Sequence, residues 1–164
     1  MADLSITLDG DWKRAETIVN NYPLFVRKLK VRLIEGVADL YYRMLVAHFE
    51  RQDLPLAPLS RWYAQWKAKR GLDSRVLIAT GEMLGEIKKH KTATGYFVGV
   101  KAGKRHRMGG IDIALLALIH EYGSTKRDIQ ARPVYRTTLS ELRGILNSAV
   151  EVMVHEVWTE VMAK

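Results

Sequence analysis

Apolar residues recur along most of this chain at steps of three and four, and at steps of two in only a few short stretches. That pattern predicts long helices and a small sheet. Leu4, Ile6 and Leu8 alternate with polar neighbours, which predicts a short strand, broken by Asp9-Gly10-Asp11. Asp11 is placed to cap a short helix reaching about Asn20. A longer helix is predicted from Pro23 to about Arg51. Val26, Leu29, Leu33, Val37, Leu40 and Met44 mark its apolar side, and Lys28, Arg32, Glu35, Asp39 and Arg43 its polar side. Leu54–Pro58 is an extended connector, because a residue before proline avoids helical geometry. Ser60 is placed to cap a helix through about Arg70, with Gly71 as its stop. Thr80 is placed to cap a short helix, with Glu82 near its positive end.

Gly95–Val100 reads as a strand of β-prone residues. Asp112 is predicted to cap a helix over Ala114–Tyr122 that ends at Gly123. Pro133 then opens a helix reaching about Met162. Leu139, Leu142, Leu146, Ala149, Met153 and Val157 form its main apolar stripe. Val150, Val154, Trp158 and Val161 form a second stripe beside it. A surface helix usually has one apolar face, so this second stripe is expected at a subunit interface. Together these elements predict an α+β fold in one domain, residues 1–164. Long N- and C-terminal helices would pack on a small, mainly antiparallel β-sheet. The sheet would take the N-terminal strand, the Tyr96–Lys101 strand and a partner near residues 88–94 or 107–112.

Composition narrows the function. Hydrophobic residues at 48% and charged residues at 27% are ordinary globular values, so most of the chain is expected to fold. With no cysteine, disulfides, thiolate metal sites and thiol nucleophiles are excluded, which fits a reducing compartment. No basic n-region precedes an apolar h-region, and no apolar run is long enough to span a membrane, so no membrane partner is expected. The net charge of +8 is uneven. Residues 61–107 carry 12 Lys and Arg against 3 Asp and Glu, and the rest of the chain carries 14 against 15. A polyanion, an acidic protein surface or a solvated face would each account for that block.

The chemistry-bearing motifs are sparse. His120-Glu121 and His155-Glu156 suggest a zinc helix, but Ser124 and Thr159 stand where the second histidine belongs. No P-loop, GxSxG or GxGxxG is present, and no carboxylate cluster is set apart. No catalytic residue, cofactor or metal is therefore expected, and His120 reads as a locally hydrogen-bonded residue at a helix end. Lys101, Lys104, Arg105 and Arg107 crowd a glycine-rich loop with no acidic residue between Glu86 and Asp112. They are expected to face DNA or an acidic neighbour. Trp62, Tyr63 and Trp66 lie among Lys67, Lys69 and Arg70. That mixture suits base stacking or, at helical spacing, core and interface packing.

Four short patterns occur in an order that resembles the virion-morphogenesis family of tailed bacteriophages, whose members include tail-completion and neck proteins. They are Pro58-Leu59-Ser60, Leu77-Ile78-Ala79-Thr80-Gly81-Glu82-Met83-Leu84, the strand Phe97-Val98-Gly99-Val100, and the core His120-Glu121-Tyr122-Gly123 with Ala131-Arg132-Pro133. Val134 stands where the family usually has an aromatic residue, and Gln130 where it has proline. The resemblance covers roughly residues 55–145. It implies a non-enzymatic virion protein of the neck, collar or tail top, assembled in the host cytoplasm. Its copies would form a closed ring of six or twelve, with DNA passing through. Its partners would be itself and a connector, tail terminator or tail tube, with transient, non-specific contact with DNA. The competing reading is a basic nucleic-acid-binding module without enzymatic activity. The core motif also has a physical reading of its own. Gly123 ends one helix, Pro133 starts the next, and Arg132 is placed to bond carbonyls or pair with Glu121 across the loop.

Overall fold

The computed structural model describes residues 10–163. The expected strand at Leu4, Ile6 and Leu8 lies outside the described residues. The order of elements is α1 (Trp12–Arg51), α2 (Arg61–Lys69), α3 (Glu82–Glu86), β1 (Lys88–Lys91), β2 (Tyr96–Gly99), α4 (Ile113–Tyr122), a 3-10 turn (Thr125–Arg127) and α5 (Tyr135–Met162). The fold is α+β, with long helices towards both ends and, among the described residues, one two-stranded antiparallel sheet.

The two helices expected before Arg51 are one. Asp11 caps it as the sequence predicts, accepting from the Arg14 amide at 3.0 Å. The helix then runs through Pro23 for 40 residues. Proline removes a single amide from the ladder, and the turns on either side hold the axis. Two other boundaries shift slightly. Gly81, with φ of +77°, is the N-cap of α3, while Thr80 Oγ1 still accepts from the Glu82 amide at 3.4 Å. The last helix begins at Tyr135, two residues beyond Pro133. Ser60 caps α2 by accepting from the Tyr63 amide, as expected.

The chain divides into two compact units. The larger, Ile34–Asn147, contains the sheet. Lys88 pairs with Gly99 and Lys91 with Tyr96, so the partner strand falls within residues 88–94. Residues 107–112 supply no strand; Arg105 and Asp112 form an isolated bridge instead. Leu45 and Phe49 of α1 pack with Met83, Ile87, Val100, Ile113, Ala117 and Val134 as the core of this unit. Lys89 reaches Asp39 of α1 at 2.6 Å. The smaller unit joins the chain up to Leu33 to the chain from Ser148. Its buried cluster is Phe25, Val157 and Val161, with Leu29, Val154 and Met162 packed against it.

Candidate functional site: the helix corner and its cleft

The motif around Glu121 folds into one corner. Asp112 caps α4 by accepting from the Ala114 amide at 2.8 Å, and its other oxygen accepts from the Gly103 amide at 2.6 Å. These amides hold its carboxyl below the usual carboxylate range. The helix stops at Gly123, whose φ is +77° and whose amide donates to Ile119 O at 2.8 Å. A Cβ here would lie 2.8 Å from Ile129 O and 2.9 Å from Ala131 N, so close approach demands glycine as strictly as the dihedral does. Ser124 and Ile129 then close the loop through paired backbone bonds of 2.8 and 2.9 Å.

Glu121 is buried, and its carboxylate sits at the start of α5. One oxygen accepts from the Val134 and Tyr135 amides at 2.9 and 3.0 Å. The other accepts from the Arg136 amide at 2.9 Å and from Arg136 Nε at 3.1 Å. Negative charge at first-turn amides that have no partner within the helix is electrostatically favoured. Arg136 also donates to Glu121 O at 2.9 Å and lies over the Tyr122 ring, 4.7 Å from its centroid. Arg132 takes the carbonyl option and not the Glu121 option. Its guanidinium donates to Ala57 O at 2.7 Å and Pro58 O at 2.9 Å, fastening the connector before α2. Glu121 is already satisfied by the residues that follow Pro133.

Beside the corner lies a cleft of about 820 Å³. Trp62, Tyr63 and Trp66 of α2 line one wall and His120 and Arg132 another. Tyr63 and Trp66 stack at 5.4 Å. His120 is not locally hydrogen-bonded as expected: Nδ1 is buried and has no partner among the described residues. Burial, and then the charge of Arg132, lower its pKa to about 4. Lys67 is not part of an exposed basic patch. It is buried, and its ammonium donates to Arg75 O at 2.7 Å and to Ile78 O, tying down the chain beneath the cleft. Of the neighbouring cations, Arg70 lies over Trp66, 4.3 Å from the ring centroid.

The basic loop is more organised than its composition suggests. Lys104 pairs with Glu86, and Arg107 Nε lies 3.4 Å from a Glu82 oxygen. The Arg107 amide donates to Glu82 at 3.1 Å, and His106 N donates to Ile111 O at 2.8 Å. The crowding of cations is thus relieved by carboxylates of α3. Lys101, Lys104, Arg105 and Arg107 remain on the surface.

The second stripe of α5 is divided. Val161 is buried and Val154 half-buried against Phe25 and Leu29 within the smaller unit, so these two serve packing inside the chain. Val150 is half-buried, and Trp158 keeps part of its indole exposed while meeting Phe25 edge-on at 5.3 Å. Sequence reasoning missed His48. Its Nδ1 lies 2.6 Å from Asp53 and its Nε2 2.9 Å from Glu141, joining the end of α1 to α5. Asp53 is five residues on, but Glu141 is 93 away, so no local pattern marks the link to α5.

Among the described residues there is no cluster of His, Asp and Glu able to hold a metal, and no helix long and apolar enough to cross a membrane. A protein of Methanocaldococcus jannaschii, Uncharacterized protein MJ0331, is 28% identical over 142 residues, which covers 82% of this chain and 96% of that relative. No family model matches the chain, and no solved structure matches it.

Proposed function

We propose that this chain is a structural protein of a phage neck or tail top that assembles into a ring around passing DNA and carries out no chemistry. The observation behind this reading is the placement of Glu121. The residues that carry the resemblance, from His120 to Gly123 and from Ala131 to Pro133, meet in one corner. There both Glu121 oxygens are engaged by α5 amides and Arg136. A carboxylate held in this way sets the angle between two helices and has no lone pair facing a substrate. Fixing that angle is what a subunit needs to repeat identically around a closed ring. The surface cations of the loop would face the channel or an acidic neighbour in the particle.

Light scattering coupled to sizing chromatography, followed by electron microscopy of the largest species, tests this reading. The expected result is a discrete closed ring of six or twelve copies, formed alone or on adding phage neck partners. A monomer that binds duplex DNA tightly at physiological salt would replace it with the nucleic-acid-binding module.

A further inference from the structure

The smaller unit hides few of its large apolar side chains. Among its described residues only Phe25, Val157 and Val161 are buried, while Val19 is 69% exposed, Tyr22 56% and Trp158 37%. Two helices with so little core need another surface to cover them. The exposed residues are continuous. Val19, Tyr22 and Val26 follow one another at steps of three and four along α1, beside the Phe25 and Leu29 face. The rings of Tyr22 and Phe25 are 6.2 Å apart and those of Phe25 and Trp158 5.3 Å, so the stripe passes from α1 onto α5 without a break.

Charge says what covers it. From Trp12 to Leu33, α1 carries Lys13, Arg14, Arg27, Lys28, Lys30 and Arg32 against the single carboxylate of Glu16. From Ser148 to Met162, α5 carries Glu151, Glu156 and Glu160 and neither Lys nor Arg. Within the chain, Glu160 takes Lys28 at 2.8 Å and Arg32 at 3.4 Å. Arg27, Lys30, Glu151 and Glu156 are exposed and form no ion pair among the described residues. One basic helix and one acidic helix on a single apolar face suit a second copy of the same face, turned so that unlike helices meet.

We propose that two copies of this chain associate through the Val19–Tyr22–Val26–Trp158 face, with α1 of each lying on α5 of the other in a four-helix bundle. A two-fold axis brings Arg27 and Lys30 of each α1 against Glu151, which shares the Trp158 side of the partner α5, at both seams. The opposite pairing, α1 on α1, would place like charges together. The pairing goes beyond the proposed function, since it holds whether or not pairs continue into a ring.

A charge swap tests it, whatever the register of the paired helices. One variant carries Arg27→Glu and Lys30→Glu, the other Glu151→Lys, the α5 carboxylate two turns before Trp158 on the same side. All three side chains are exposed, so circular dichroism should show unchanged helix. By sedimentation velocity the parent should pair, and each variant alone should pair at least tenfold more weakly. An equimolar mixture of the two variants should recover pairing, because both seams then join opposite charges. A parent that stays monomeric up to about 100 µM, a concentration at which even weak specific contacts populate, overturns the proposal. So does a mixture that fails to recover. Rings that persist in both variants overturn the α1–α5 pairing and leave the proposed function standing. Pairs that never close into a ring do the reverse.

Discussion

Arg136 approaches one oxygen of Glu121 twice, through its own backbone amide at 2.9 Å and through its guanidinium Nε at 3.1 Å. The same carboxylate therefore caps α5 and pairs with a residue of its first turn. Replacing Glu121 with alanine removes the acceptor for three amides and the carboxylate that pairs with Arg136 Nε, leaving Arg136 only the Glu121 carbonyl and the Tyr122 ring. The expected cost is about 3 kcal/mol, the range for breaking a buried charge-assisted network. Urea unfolding measures it, and a loss below about 1 kcal/mol would reduce Glu121 to an ordinary surface cap.

Gly123 and Gly71 separate strain from crowding. Both have positive φ, +77° and +62°, but a Cβ at Gly71 meets open space while one at Gly123 meets Ile129 O and Ala131 N. Gly71→Ala should cost about 1 kcal/mol, from the dihedral alone. Gly123→Ala should cost at least about twice that, because the contacts are with backbone and cannot be relieved by a rotamer change. Equal denaturation midpoints for the two variants would contradict this.

His120 makes stability depend on acid pH. In the folded chain burial holds its pKa down to about 4, against an ordinary value of 6.5. The unfolded chain therefore binds more protons between those values. Stability contributed by the neutral ring is complete above pH 6.5, falls as pH falls through the window, and is gone below about 4. The whole effect is at most about 3 kcal/mol. His120→Leu should flatten this part of the profile, so that wild type loses more stability than the variant between pH 7 and pH 4.

Lys67 holds two carbonyls beneath the cleft. Lys67→Met keeps most of the aliphatic stem but leaves Arg75 O and Ile78 O without that donor. A loss of about 2 kcal/mol is expected. Hydrogen exchange should rise first in residues 75–79. Unchanged exchange there would show that the fastening is not used.

Among the loop cations, Lys101 and Arg105, which pair with no α3 carboxylate among the described residues, differ from Lys104 and Arg107, which do. Lys101→Ser with Arg105→Ser should leave melting unchanged and weaken any attraction to DNA, which should be sequence-independent and fall steeply with salt. Lys104→Ser with Arg107→Ser should also loosen the loop from Glu86 and Glu82, and so lower the melting temperature slightly. Identical behaviour of the two double variants would remove the distinction.

The sequence made capping legible because capping is local. Asp11, Ser60 and Asp112 each bond amides two or three residues on. Gly123 as a stop and β2 were equally readable from dihedral preference and a β-prone run, whereas the partner strand was open between residues 88–94 and 107–112 because Lys88–Lys91 carries no β-prone signal of its own. Glu121 was visible as a motif residue but not as the cap of α5, because its amide partners lie 13 to 15 residues ahead, across a loop. Lys67 looked like surface charge for the same reason: only closure of the chain over it supplies Arg75 O and Ile78 O. The loop cations looked mutually repulsive because α3 carboxylates enter their surroundings through folding. Pro23 misled in the other direction, since a proline that commonly opens a helix is here carried in its interior.

That proline gives α1 a seam. With no amide at Pro23, the carbonyl of Val19 lacks its usual partner four residues on. The turns from Trp12 to Tyr22 are therefore joined to the remainder of α1 by one hydrogen bond fewer than any other stretch of equal length would be. Amide protons of residues 16–22 should exchange with solvent sooner than those of 27–33, as a separate opening event. Val19 and Tyr22 lie on the early side of the seam and Phe25 on the late side. The first three turns can thus be rearranged by whatever binds them without unthreading Phe25 from Val157 and Val161.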